Sequence, residues 1–223
     1  MNERMQVEIW TDINCPFCYL GWNSFRTALE AFEHRDRIEL VHRSFELDPA
    51  QPRGVSQSVI AHLAEQYELD LEQAAEGERT LAAKALTDGL EYVVADRDFG
   101  NTFDMHRMVH FAAESGRASE MLDAFFAANF ADSRPLFGDP ERIVEVAVGA
   151  GFDETAVREV LADEDRYAID VRDDEELAVN FSIPGVPFVA LDRHFVINGY
   201  EPPETVGEAL QLAWDRYSGA TSV

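Results

Sequence analysis

Two cysteines, placed two residues apart, are the residues of this sequence with the clearest chemistry. Cys15 and Cys18 are the only cysteines in the 223-residue chain. They stand where a short alternating run passes into an amphipathic one, and a C-x-x-C pair in that position is typical of redox motifs. In thiol-disulfide exchange a thiolate attacks a disulfide and a second thiol resolves the mixed disulfide. The pair therefore predicts a redox-active dithiol.

The residues around the pair predict a division of roles. Pro16 suits the first position of a helix, so Cys15 falls at the N-cap, where free N–H groups and the helix dipole favour a thiolate. Cys18, one turn further on, should face back toward Cys15 and be more buried, so it resolves rather than attacks. Phe17 offers no donor or charge and should moderate the redox poise. Asp12 is expected either to relay protons to Cys18 or to act as a capping or solvated residue.

Two other interpretations of the cysteines stay open. A C-x-x-C pair often supplies two zinc ligands, but a closed zinc site needs four and the sequence has no second pair. The spacing of His106 and His110 is more typical of a helix face than of a metal site. The remaining alternative is two packed cysteines at a helix start. We expect no metal site.

The elements that must position the pair are predicted from apolar periodicity. Near the N-terminus the pattern is strand, helix, strand, and near the C-terminus it is a hairpin followed by a helix. The corresponding stretches are 5–11, 16–33, 38–47, 183–199 and 202–217. Between them, apolar residues recur at helical spacing and no convincing strand is seen from residue 56 to about 180. Asp139 before Pro140, and Asp153 after Gly151, mark two helix starts.

The charge balance disfavours some partners. The chain has 18 basic and 43 acidic residues, a net charge of −25, so nucleic acid and anionic membranes are poor partners. Acidic residues such as Glu72, Glu76, Glu78 and the run 173–176 are expected on exposed helix faces. No apolar run is long enough for a membrane span, and the first residues lack a signal-peptide pattern. We therefore predict a cytoplasmic protein.

A helix opened by C-P-x-C, a long helical insertion, and G-V-P ahead of a hairpin together resemble the DsbA-like branch of the thioredoxin superfamily. The stretches 15–21, 101–107 and 185–189 resemble, more narrowly, the FrnE-type cytosolic dithiol-disulfide isomerases. The resemblance implies an α/β protein with a thioredoxin fold, a mixed sheet of β-α-β then β-β-α, and an all-helical insertion. The thioredoxin-like domain would comprise 1–55 and 181–223, and the insertion 56–180.

The resemblance also implies functional residues. Cys15 takes the place of the attacking cysteine, Cys18 that of the resolving cysteine, and Pro187 that of a cis-proline facing them. The sequence itself makes Val186-Pro187 a candidate cis bond, because cis bonds are essentially confined to proline; a simple strand-entry proline is the alternative. The Val186 backbone would then be free to pair with an extended substrate.

Three residues of the insertion match a motif of the resembling family. Asn101, His106 and Arg107 are expected to line a groove above the cysteines. Asn101 is equally consistent with a helix cap and Arg107 with an ordinary salt-bridge partner.

Three functions follow as hypotheses. The first is a thiol-disulfide oxidoreductase or isomerase acting on protein or small-molecule disulfides, without a bound cofactor and with glutathione as a candidate co-substrate. The second is a glutathione-dependent isomerase of a small aromatic or polyketide compound, although that branch typically carries serine where Cys15 stands. The third is a non-catalytic holdase or interaction module that uses an apolar groove of the insertion.

Overall fold

A computed structural model describes residues 4–219, and the chain divides into two compact units. The sheet unit consists of Met1–Phe45 and Asp174–Val223, and the helical unit consists of Glu46–Asp173. In chain order the elements are β1 (Met5–Thr11), α1 (Pro16–Ala31), a 3-10 turn (Arg35–Arg37), β2 (Ile38–Ser44), β3 (Ser56–Ser58), α2 (Val59–Gln66), α3 (Leu71–Thr87), β4 (Asp98–Gly100), α4 (Phe103–Ala113), α5 (Ala118–Phe130), α6 (Pro140–Gly149), α7 (Glu154–Ala162), α8 (Ala168–Asn180), β5 (Phe188–Leu191), β6 (Phe195–Asn198) and α9 (Pro203–Ser218).

The sheet unit contains the predicted mixed sheet, with strand order β2-β1-β5-β6. β1 pairs in parallel with β2 and antiparallel with β5, and β5 pairs antiparallel with β6. The central position of β1 explains its nearly continuous burial, because a strand with neighbours on both sides and covered faces carries few solvent-facing residues. The β-α-β half and the β-β-α half of the thioredoxin fold therefore meet at β1 and β5. The first strand and its helix begin where the sequence predicts them.

Ion pairs between two buried carboxylates and more exposed arginines link the strands of this unit, and they correct one prediction. We expected Asp174 on an exposed helix face, but its side chain is buried and accepts from Arg43 Nη1 at 2.8 Å and from the Ser44 N–H at 2.9 Å. Arg43 also donates to buried Glu8 at 2.6 Å, as does Arg193. Burial alone would raise the pKa of Glu8, but the two guanidinium groups lower it below its usual value. The partners lie far from Asp174 in sequence, which is why local periodicity missed them.

The contacts of Asp174 lie where the sequence passes from the helical unit to the sheet unit. The predicted insertion, 56–180, starts ten residues later and ends seven residues later than the helical unit, 46–173. The late end has a physical reason: Asp174 binds β2, and Ala178 packs in a buried cluster with Trp10, Phe188 and Ala190. The last part of α8 thus belongs to the core of the sheet unit.

The helical unit is not free of strands, so that prediction was wrong. β3 and β4 form a two-stranded antiparallel sheet with Gln57 opposite Phe99. Each strand has only three residues, and Ser56-Gln57-Ser58 contains no apolar residue, so neither strand shows the period-two pattern that identifies a strand in a sequence. Around this small sheet the unit is helical. The capping residues Asp139 and Asp153 are confirmed, since each accepts a backbone N–H of the helix that follows it.

Glu78 was also expected on an exposed face of its helix, and this expectation was wrong. The residue is buried, and it lies on the same stripe of α3 as buried Ala74 and Ala85. Arg97 donates to its carboxylate at 2.5 Å, and the Tyr92 hydroxyl donates to the same oxygen at 3.0 Å. A charge can be buried in this way because it is paired and hydrogen-bonded.

Within the described range, 4–219, no helix combines the length and apolar character needed to cross a membrane.

Candidate active site

The cysteine turn lies between the central strand and the first helix of the sheet unit. β1 ends at Thr11, and the Cys15 N–H donates to the Asp12 carbonyl at 3.1 Å, which closes the turn. Cys15 is the N-cap residue of α1 and Pro16 occupies its first position, as predicted. The Cys15 side chain does not cap the helix, so its sulfur is directed to other partners. The fixed backbone angle of proline suits the first position of a helix, where no N–H is needed.

The two thiols have different environments. Both cysteines are free; Cys15 is 5% exposed and Cys18 is fully buried. Burial, followed by a hydrogen bond and charge interaction with Cys15, raises the pKa of the Cys18 thiol well above its usual value. The Asp12 N–H donates to the Cys18 sulfur at 3.5 Å and opposes part of this shift. Cys18 therefore stays protonated at neutral pH, which is consistent with a thiol that acts second.

A second segment of the sheet unit faces the first cysteine. The Cys15 thiol donates to the Val186 carbonyl at 3.6 Å. The Val186-Pro187 bond is cis, in agreement with its choice as the candidate cis bond. The Pro187 carbonyl in turn accepts the Gly199 N–H at 2.8 Å. The structure thus brings the cysteine turn and the segment ahead of the hairpin together, although they are 171 residues apart in the sequence.

The remaining predicted residues of the turn differ in exposure. Phe17 is 50% exposed, so it presents an apolar surface beside the helix N-terminus. Asp12 is fully buried, and its carboxylate accepts the Asn14 N–H at 3.2 Å. This contact is the local hydrogen bond typical of an aspartate in a turn. The predicted roles of Phe17 in tuning and of Asp12 in proton transfer stay predictions.

Asn101, His106 and Arg107 belong to the helical unit. The Asn101 side chain donates to Glu46 and to the Gln51 carbonyl, both at 3.1 Å, and accepts the Phe103 N–H at 3.0 Å. Asn101 thus holds the loop after Glu46 against the start of α4, close to the capping role left open above. His106 is buried within α4. Whether any of the three binds a substrate stays a prediction.

Arg107 has the most extensive contacts of the three. Its buried guanidinium donates to the carbonyls of Arg166 at 2.8 Å and Val160 at 2.6 Å, to the Asp163 carbonyl, and to Asp104 at 2.7 Å. Val160 and Asp163 lie at the C-terminal end of α7, where the last carbonyls of a helix lack intrahelical partners. These contacts define Arg107 as a cap of α7 and leave the expected groove contact untested.

Sequence reasoning missed the contacts that α1 makes beyond its cysteines. The Ser24 hydroxyl donates to the Glu201 carbonyl at 2.5 Å, and Gly21 lies against the Pro187 ring. A glycine within an amphipathic helix was the available signal, because such a residue lowers helix stability unless it has a packing reason. In the described part of the chain, no group of three or more His, Cys, Asp or Glu side chains has an arrangement that could hold a metal ion.

A free dithiol at the start of the helix that follows the first strand, within a sheet of β-α-β and β-β-α halves, defines the class of thioredoxin-fold proteins. The family described as the DSBA-like thioredoxin domain matches residues 6–211. The chain belongs to this family, whose members are thiol-disulfide oxidoreductases that act on disulfide-containing substrates.

Solved structures agree with this assignment. The crystal structure of a "probable DsbA oxidoreductase" from Streptomyces coelicolor is 49% identical, with a TM-score of 0.91, and the match covers 99% of this chain and 92% of that one. A 2-hydroxychromene-2-carboxylate isomerase is 17% identical, with a TM-score of 0.68 over 98% and 100% of the two chains. The cytosolic disulfide reductase DsbM from Pseudomonas aeruginosa, solved with GSH, is 16% identical, with a TM-score of 0.57 over 96% and 98%. The last two share the fold. No curated protein shows significant sequence similarity to the chain.

Proposed function

We propose that this protein is a dithiol-disulfide oxidoreductase and isomerase of the FrnE type that acts through Cys15-Pro16-Phe17-Cys18. The observation that carries the proposal is the arrangement of the two sulfurs. Cys15 occupies the N-cap position of α1 and its thiol faces the Val186 carbonyl, while Cys18 is fully buried beside it. The attacking and resolving roles require these two different environments.

In the proposed reaction the Cys15 thiolate attacks one sulfur of a substrate disulfide. The substrate S–S bond breaks, its electron pair passes to the departing sulfur, and that sulfur takes up a proton. Cys18 then loses its proton and attacks the Cys15 sulfur, which releases the second substrate thiol and forms the Cys15–Cys18 disulfide. The substrate has gained two electrons, and two molecules of a low-molecular-weight thiol such as glutathione, acting as co-substrate, would restore the dithiol and leave as their own disulfide.

Isomerisation would use the same first step. When a second thiol of the same substrate attacks the mixed disulfide before Cys18 does, the substrate leaves with a rearranged disulfide and Cys15 returns to the thiol. No net oxidation occurs in that cycle. The high pKa of Cys18 supports this outcome, because a thiol that is rarely ionised resolves slowly and leaves the substrate time to rearrange.

The test is turnover by wild type, Cys15→Ser and Cys18→Ser. We would follow cleavage of a fluorescent glutathione disulfide with reduced glutathione as donor, and recovery of active ribonuclease A from its scrambled form. Cys15→Ser should lose both activities. Cys18→Ser should accumulate a mixed disulfide between Cys15 and the substrate. It should lose more of its disulfide-cleaving activity than of its isomerase activity. Full activity of Cys15→Ser would refute the proposal.

The glutathione-dependent isomerase is the second candidate, favoured by the shared fold of the 2-hydroxychromene-2-carboxylate isomerase. The presence of both cysteines favours exchange chemistry instead. If Cys18→Ser still isomerised a small aromatic compound in a glutathione-dependent reaction, that result would support this second candidate. The holdase hypothesis stays a prediction, and equal suppression of aggregation by wild type and the double serine variant would favour it. The predicted cytoplasmic location also stays a prediction, to be tested by cell fractionation.

A further inference from the structure

We propose that Gly21 is a positioning residue for the dithiol: its missing side chain lets Pro187 lie against α1 and so keeps the Val186 carbonyl at the Cys15 sulfur. The proposal rests on the function proposed above, in which Cys15 is the attacking thiol. Gly21 itself has no side chain to touch a substrate, and it acts through Pro187.

The contact leaves no room for a larger residue. A Cβ added at Gly21 would lie 2.9 Å from Pro187 Cγ and 3.4 Å from Pro187 Cβ, and 4.0 Å from the Cα of Tyr200. Carbon atoms that are not bonded prefer separations of about 3.5–4.0 Å. The proline ring is stiff and cannot rotate away as a flexible side chain would. Any side chain at this position therefore pushes Pro187 away from the helix or bends α1.

Pro187 is also held by contacts other than the one with Gly21, so a displacement of Pro187 would move the residues around it. Its carbonyl accepts the Gly199 N–H at 2.8 Å, and the segment after Gly199 is tied to α1 through Ser24 and the Glu201 carbonyl. The Val186 carbonyl, which accepts from Cys15 at 3.6 Å, precedes Pro187 directly in the chain. A displacement of Pro187 away from Gly21 therefore moves the group that faces the attacking sulfur.

Another helical glycine offers a matched control. Gly207 lies within α9 and is half-buried, as Gly21 is within α1. A Cβ added at Gly207 would meet no atom within 4 Å. Glycine in a helix interior is less stable than alanine, so Gly207→Ala should preserve or raise stability. The same substitution at Gly21 should forfeit that gain because of the contact with Pro187.

The experiment compares wild type, Gly21→Ala and Gly207→Ala. For each we would measure the rate of glutathione disulfide cleavage and the equilibrium between the Cys15–Cys18 disulfide and a series of glutathione redox buffers. Circular dichroism would establish that each variant is folded. We expect Gly207→Ala to match wild type. Gly21→Ala should cleave the disulfide about tenfold more slowly, since small displacements of reacting groups reduce rates strongly, and its equilibrium with glutathione should shift.

A double-mutant cycle with Pro187→Ala separates positioning from general destabilisation, and it applies even if Gly21→Ala unfolds. Pro187→Ala removes the ring atom at 2.9 Å, so adding Gly21→Ala to it should no longer lower stability and should not shift the glutathione equilibrium further. Equal effects of Gly21→Ala in both backgrounds, or wild-type rate and equilibrium in the single variant, would overturn the proposal. A wild type without turnover would instead refute the proposed function, and the cycle in stability would still test the Gly21–Pro187 contact.

Discussion

Replacing Glu78 with glutamine should strongly destabilise the helical unit, because it leaves Arg97 buried without a counter-charge. The two side chains are each 2% exposed, and Arg97 Nη1 donates to Glu78 at 2.5 Å. Arg97 also donates to the Tyr92 hydroxyl at 2.8 Å and to the Asn129 carbonyl at 3.0 Å, and it lies 4.4 Å from the Phe130 ring centroid. Burial raises the pKa of Tyr92 far above its usual value, so its hydroxyl remains a neutral donor.

The size of the effect follows from the desolvation of the pair. Breaking a buried ion pair by removing one partner typically costs about 3–5 kcal/mol. A chain of 150–250 residues loses about 2–4 °C of melting temperature per kcal/mol, so a decrease of about 6–20 °C is expected. The lower end is favoured for Glu78→Gln, because Arg97 keeps its bonds to Tyr92 and Asn129 and its contact with Phe130.

Thermal and urea unfolding of each variant, followed by circular dichroism, measure the decrease in melting temperature and in the free energy of unfolding. Arg79→Met is the control: Arg79 follows Glu78 in the chain, but its partners Glu72 and Glu76 are exposed, so little change is expected. A second variant that pairs Glu78→Gln with Arg97→Met removes both charges and should recover part of the stability. The reasoning would be refuted if Glu78→Gln unfolded within about 1 kcal/mol of wild type, or if the double variant were less stable than the single one.

Two further predictions concern the sheet unit. Burial lowers the pKa of His42 to about 4 from 6.5. Between pH 6.5 and pH 4, His42 is therefore protonated in the unfolded state but neutral in the folded state. The free energy of unfolding should fall by about 3 kcal/mol over this range. In His42→Phe, which keeps an aromatic ring against Trp22, urea unfolding at several pH values should show a correspondingly weaker dependence. In Cys15→Ser, burial should still keep the Cys18 thiol protonated, so iodoacetamide should modify it far more slowly than free cysteine at pH 7 and faster as the pH rises past 9; equal rates at pH 7 would contradict the assigned burial.

The parts of the fold that the sequence predicts are those whose signals are local. The alternating run of β1, the proline after Cys15 and the amphipathic stripe of α1 lie within some 30 residues, and together they place the dithiol at a helix start. The hairpin of β5 and β6 follows from two short apolar runs around the turn at Asp192. Capping residues such as Asp139 are read from two neighbouring positions.

Burial of charge was not predictable in the same way. In the sequence, Glu78 and Asp174 look like parts of acidic, solvent-exposed helix faces. They are buried because each has a positively charged partner elsewhere in the chain. Arg97 is 19 residues from Glu78, and Arg43 is 131 residues from Asp174. Such pairs depend on the tertiary arrangement, which periodicity within one helix does not describe. The contact between Gly21 and Pro187 escaped notice for the same reason.

The pairing of β1 with β5 also bears on how the protein emerges from the ribosome. β1 ends at Thr11 and β5 begins at Phe188, so the 176 residues from Asp12 to Pro187 must be synthesised before the strands can pair. At about 5–20 residues per second this takes roughly 9–35 s. During that interval Cys15 and Cys18 are already part of the nascent chain, but Val186 and the neighbouring strand do not yet exist. The dithiol is thus open to cellular oxidants and thiols for seconds before the fold encloses it.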